Sequence, residues 1–144
     1  RVLVPVDFSP RSLEALRLAQ RVAPQAEYVL LHAFEVPFEG KLRYAGVEEN
    51  ALASLRVNAR REATAKMNEL VAAAGADENR VRRIVVHGEA TTQLLEHEQA
   101  QDCDLIVIGK RGQGLIGEML LGSVTKHILA QSAGDVLVAD RAGA

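Results

Sequence analysis

The sequence predicts an α/β fold, a doubly wound five-stranded parallel sheet with helices on both faces, and three observations carry that expectation. Short apolar runs at residues 2–6, 27–34, 81–87, 104–108 and 135–139 have the profile of buried strands. Stretches of helical periodicity separate them, and strands alternating with helices pair in parallel through right-handed crossovers. A loop carrying Gly109, Gly112, Gly114 and Gly117 follows the fourth run directly and leads into a helical pattern that opens at Gly122-Ser123. In such sheets ligands collect at the carboxyl ends of the strands.

Each element has a local reason. The first strand, VLVPV, ends at Asp7, and Ser9-Pro10 is a good helix start: a hydroxyl N-cap, then proline where its missing N–H costs nothing. Ala15, Leu18, Ala19 and Val22 fall on one face of the helix that follows, with Glu14, Arg17 and Arg21 opposite. Residues 27–34 read as a strand apolar enough to be central. Residues 35–46, with Pro37, Gly40 and Gly46, read as a mobile loop. A long helix is expected over 47–74, with an inner stripe of Leu55, Ala59, Ala63, Met67, Leu70 and Ala74, an exposed Glu62/Lys66 pair, and Gly75 as its stop. The third strand (81–87) ends at Gly88. A short helix over 91–101 is anchored by Leu94 and Leu95, and the last helix runs to about residue 131 before the final strand.

At 144 residues the chain reads as one domain, spanning 1–144. A net charge of -2 and 3% aromatic residues without Trp argue against nucleic acid, whose binders carry basic patches and stacking rings. The lone Cys103 has no disulfide partner, which suits a reducing compartment. No apolar run approaches the ~20 residues that span a bilayer, and there is no leader pattern. The expectation is a cytoplasmic protein without a membrane role. Because the chain opens on Arg1, a preceding tandem domain is also expected as an option.

The glycine loop is the chemical signal. Glycines let a backbone approach a ligand closely, and the first turn of a helix offers N–H groups to an anion with the dipole behind them. Lys110, Arg111 and Lys126 add positive charge, and Ser123 and Thr125 add hydroxyls. Together they read as a nucleotide phosphate site, for which a distant acidic group such as Asp7 is the expected ribose partner. The spacing Gly109-x-x-Gly112, nine residues, then Gly122-Ser123, together with the opening VLVPVDFS, resembles the ATP-binding type of the universal stress protein family, over essentially the whole chain.

That resemblance implies a Rossmann-like sheet of order 3-2-1-4-5, similar to the adenine nucleotide alpha hydrolases, with strands one and four as neighbours. It implies that Pro5, Val6 and Asp7 border adenine and ribose and that Gly109 and Gly112 let the loop wrap ribose and phosphates. Gly122, Ser123, Val124 and Thr125 would then hold phosphate, with Lys110 and Arg111 beside it. It implies ATP as ligand, with or without magnesium, and a homodimer through the edge strand at residues 136–138 unless a tandem partner domain covers that edge. Gly134-Asp135 stands where the family usually has proline, which loosens the expected dimer geometry.

Duller roles compete with each of these. Asp7 also suits capping the helix after it, although Ser9 already offers that service. Lys110 and Arg111 also suit plain solvated charge, and Phe34 suits a core aromatic better than a wall for the base. His32, His87, His97 and His127 lack metal-ligand spacing. Cys103, beside Asp102 and Asp104, reads as a packed thiol rather than a nucleophile. A dinucleotide dehydrogenase needs glycines where the chain has DFSPRS. A P-loop needs a lysine that Gly117-Glu-Met-Leu-Leu-Gly122-Ser123 lacks, and a receiver domain needs an acidic residue where strand three has His87-Gly88. Three functions stay open: an ATP-dependent regulatory module in stress response; a slow ATPase or self-phosphorylating enzyme with Ser123 or Thr125 as acceptor; and a dimeric interaction domain that does not use ATP.

Overall fold

The structure is a computed structural model and describes residues 1–109 and 123–139. Five strands, β1 (Val2–Pro5), β2 (Tyr28–Phe34), β3 (Val81–His87), β4 (Leu105–Gly109) and β5 (Asp135–Ala139), form one sheet in the order β3-β2-β1-β4-β5. All four pairings are parallel, with β1 central, aligned with β2 at Val2↔Tyr28 and with β4 at Val2↔Leu105. Among the described residues five α-helices connect them: α1 (Pro10–Val22), α2 (Glu39–Tyr44), α3 (Glu49–Ala74), α4 (Ala90–Ala100) and α5 (Ser123–Gln131).

The period of two in a strand divides the core into two layers. Val2, Val4 and Val6 face α1 and α3, where they meet Ala15, Leu16, Ala19, Met67, Leu70 and Val71. Leu3 faces the other way, into a cluster with Val29, Leu31, Ile106 and Ile108 that Leu94 of α4 and Ile128 of α5 close. A sheet covered on both faces hides apolar residues on both, which is why β1, β2 and β4 are nearly continuous hydrophobic runs. The expected doubly wound fold and its strand order are what the chain adopts.

Several local expectations change. Residues 35–46 are not a plain loop: they contain α2, entered through Phe38 in the left-handed region (φ 59°). The tie is electrostatic, since Glu39 at the start of α2 pairs with Arg56 of α3 at 2.5 Å and with His87 at the end of β3 at 3.3 Å. The inner face of α3 is Leu52, Ala63, Met67, Leu70 and Val71, while Leu55 is exposed, so the stripe is shifted at the helix start. On α1, Leu16 rather than Val22 is buried. Gly75 ends α3 at φ 63°, a left-handed C-cap that costs glycine little.

Candidate functional site

Parallel pairing of β1 with β4 brings their carboxyl ends side by side, so Pro5, Val6 and Asp7 leave the sheet next to Gly109. At this point the α1 turn is pressed against β4. A Cβ built on Gly109 would lie 2.8 Å from Arg11 Cβ and 3.3 Å from the Arg11 carbonyl oxygen, closer than side chains tolerate. Glycine is therefore required at 109 by packing alone, before any ligand is considered.

Asp7 takes the capping role weighed for it. Its Oδ1 accepts the Ser9 N–H at 2.9 Å and the Ser12 hydroxyl at 2.8 Å, while the Asp7 N–H donates to Ser12 Oγ at 2.9 Å. The helix cap is thus the aspartate, not the serine expected from the sequence: Ser9 is the N-cap residue by position, but its side chain makes no capping bond. Its Oγ is buried and has no hydrogen-bond partner among the described residues.

Sequence reasoning missed what holds this corner. Phe8 sits at φ 65°, a left-handed backbone that costs a non-glycine residue about 1–2 kcal/mol. Its ring packs on His32 with centroids 4.4 Å apart, and Lys66 Nζ of α3 stands 5.9 Å over it. His32 Nδ1 lies 2.8 Å from the Val6 carbonyl oxygen. A carbonyl only accepts, so that nitrogen carries the proton and the ring clamps the segment just before Asp7. The only sequence signal for this was that His32 lies near the end of a strand. Glu62 and Lys66 are both exposed, as expected, and Lys66 also reaches an aromatic ring.

Next along the sheet edge, Phe34 is 8% exposed and makes an edge contact with His87 at 5.5 Å, which agrees with a core aromatic. Burial pulls the Glu39 carboxyl up, but the Arg56 guanidinium and His87 outweigh it and leave Glu39 below the usual carboxylate range. Burial pushes the Cys103 thiol up, as a packed thiol requires. Among the described residues no group of three His, Cys, Asp or Glu side chains could hold a metal ion. No helix among them is long and apolar enough to cross a membrane.

Lys110, Arg111, Gly112 and Gly122 lie outside the described residues, and Ser123, Val124 and Thr125 form the first turn of α5.

Comparison with known proteins gives the same picture from a different direction. Residues 1–140 match the universal stress protein family. Universal stress protein YxiE of Bacillus subtilis is 28% identical, over 96% of this chain and 97% of that protein. Universal stress protein MJ0577 of Methanocaldococcus jannaschii is 27% identical, over 98% of this chain and 94% of that protein. A solved structure of MJ0577 superposes with a TM-score of 0.81 over 99% of this chain and 96% of that one. A universal stress protein solved in complex with cAMP is 29% identical, with a TM-score of 0.59 over 95% of this chain and 93% of that one. With its doubly wound sheet, its β1–β4 junction and a match over residues 1–140, the chain belongs to the universal stress protein family.

Proposed function

We propose that this chain binds an adenine nucleotide, ATP, in the crevice at the carboxyl ends of β1 and β4, and acts as a nucleotide-dependent regulatory module in stress response. Pro5, Val6 and Asp7 border the base and ribose. Gly109, Lys110, Arg111 and Gly112 wrap the sugar and phosphates, and Gly122, Ser123, Val124 and Thr125 hold the phosphates at the start of α5. The observation that carries this reading is the pairing of β1 with β4, which puts Asp7 and Gly109 at one edge although they are far apart in sequence. The relative solved with cAMP supports an adenine ligand as a class. A nucleotide that binds only the folded form also stabilises it.

Melting with and without ATP tests the reading. Ligand at a hundred times its Kd adds about 2.7 kcal/mol by mass action, and Gly122→Val should remove that gain by filling the phosphate seat. An equal thermal shift in wild type and Gly122→Val would count against the site. A specific observation favours one second reading, that the ligand is a cyclic nucleotide, because a relative was solved with cAMP. Parallel titrations separate the two: a polyphosphate seat makes ATP the tighter ligand and confines the Gly122→Val loss to it. Single-turnover hydrolysis distinguishes a binding module from a slow ATPase, since a module turns over no faster than Gly122→Val.

A further inference from the structure

Among the described residues the sheet has two outer strands, β3 and β5, and an outer strand offers unpaired N–H and C=O groups to another chain. On β3 the register identifies these groups. The Gly88 N–H donates to the Phe34 carbonyl at 2.9 Å, and Phe34 stands opposite His87. Backbone polar groups alternate in direction along a strand. Those of Ile84, Val86 and Gly88 therefore turn towards β2, and those of Val81, Arg83, Val85 and His87 turn outwards. The strand is also well suited to pair. Val81 and Val85 pack on one core layer and Ile84 and Val86 on the other, and β-branched residues favour extended pairing.

One outward group is already taken, by a side chain rather than a strand. Arg60 of α3 donates from Nη1 to the Val85 carbonyl oxygen at 3.0 Å. Its guanidinium carbon stands 5.7 Å from the centre of the buried Phe34 ring. That attraction restrains a side chain that otherwise samples many rotamers. Arg60 itself is exposed, so its charge keeps its water while its donor occupies the edge. We infer that Arg60 guards the β3 edge against pairing with a second copy of this chain. An incoming strand loses the Val85 acceptor and has to strip water from a guanidinium. In a two-fold pairing both copies bring an Arg60 to the junction, which adds like charge. The consequence is a limit on assembly. A sheet open at both outer strands can add copies on either side without end, whereas guarding β3 leaves at most β5 for pairing. The guard is independent of the nucleotide reading above.

The experiment compares wild type with Arg60→Ala, Arg60→Met and Arg60→Lys by sedimentation over a concentration series, with amide hydrogen exchange across β3. Alanine is a strong helix former, so the first variant keeps α3. Methionine keeps an apolar stem without a donor, and lysine keeps both donor and charge. The expected result is that Arg60→Ala and Arg60→Met form species at least double the wild-type mass at equal concentration, while Arg60→Lys matches wild type. In the larger species the outward amides of Arg83, Val85 and His87 should exchange more slowly than in wild type. Circular dichroism establishes the fold of each variant; should alanine unfold the chain, methionine and lysine carry the comparison. Wild-type mass in the folded donor-free variants would overturn the guard. Growth in only one of two folded donor-free variants, or equal growth in Arg60→Lys, would overturn it too, because loss of the charged donor would not be the cause. Growth without slower exchange in β3 would place the association on another face and overturn the inference as well.

Discussion

Asp7, Phe8 and Ser9 show how much three consecutive residues can decide. From the sequence, Ser9 was the natural N-cap and Asp7 the ligand contact. In the structure Asp7 caps and the Ser9 hydroxyl is left unpaired among the described residues. Both residues rank high as caps, so propensity does not choose between them. The left-handed turn at Phe8 does, and that turn is held by His32 and Lys66 from other elements. Gly109 makes a sharper case. Gly109→Ala puts a methyl 2.8 Å from Arg11 Cβ with backbone behind it, an overpacking defect of about 1–3 kcal/mol. Urea denaturation should show that loss without ligand, and an unchanged midpoint would mean that α1 can step aside. The sequence motif made this glycine visible as a binding residue, but not as a packing one.

Helix starts and ends were read well from local rules, and helix faces less well. Gly75 and Pro10 stand where a stop and a start belong. The inner face of α3 differs from the expected stripe at its start, where Leu52 is buried while Leu55 and Val57 are exposed. Helix α2 carried too little periodicity to announce itself; Glu39 holds it through Arg56 and His87, contacts with residues distant in sequence. The start of α4 has a cap that titrates. The Glu89 carboxylate accepts the Thr92 N–H at 2.8 Å, the Thr92 hydroxyl at 2.8 Å and the Thr91 N–H at 3.0 Å. These bonds, the Thr92 backbone N–H first, hold the Glu89 carboxyl below its ordinary value. A lowered folded-state pKa means the stabilisation is present above the ordinary glutamate range and is lost as the pH falls through the folded value. Glu89→Ala should therefore cost about 1 kcal/mol at pH 7, and the gap to wild type should close on acidification. A gap that stays constant between neutral and acidic pH in urea melts would contradict the cap.

Across the whole molecule, β5 is an edge strand, and the Val136 and Val138 side chains serve the core between sheet and helices. An uncovered edge invites pairing, and we propose a homodimer through residues 136–138. The turn before the strand is firm despite lacking proline. The buried Glu98 of α4 accepts from the Ser132 hydroxyl at 2.5 Å, the Ala133 N–H at 3.2 Å and the Gly134 N–H at 3.3 Å. A proline at 134 would remove one of those donors, so the departure from the family pattern has a local reason. Sedimentation at tens of micromolar should give twice the chain mass of 15.6 kDa. A single species at the monomer mass would exclude the edge dimer.

The sequence by itself determined the five strands, four of the five helices, the glycine spacing and the family, because periodicity, capping and motif spacing are local properties. The strand order came from resemblance rather than periodicity: which strands become neighbours is settled by burying both sheet faces at once, through pairings such as Val2↔Leu105. Only the tertiary structure decided that Asp7 caps α1, that Phe8 bends left-handed beneath Lys66, and that the Ser9 hydroxyl is buried without a partner among the described residues. Each depends on side chains arriving from distant positions, and no local rule contains them.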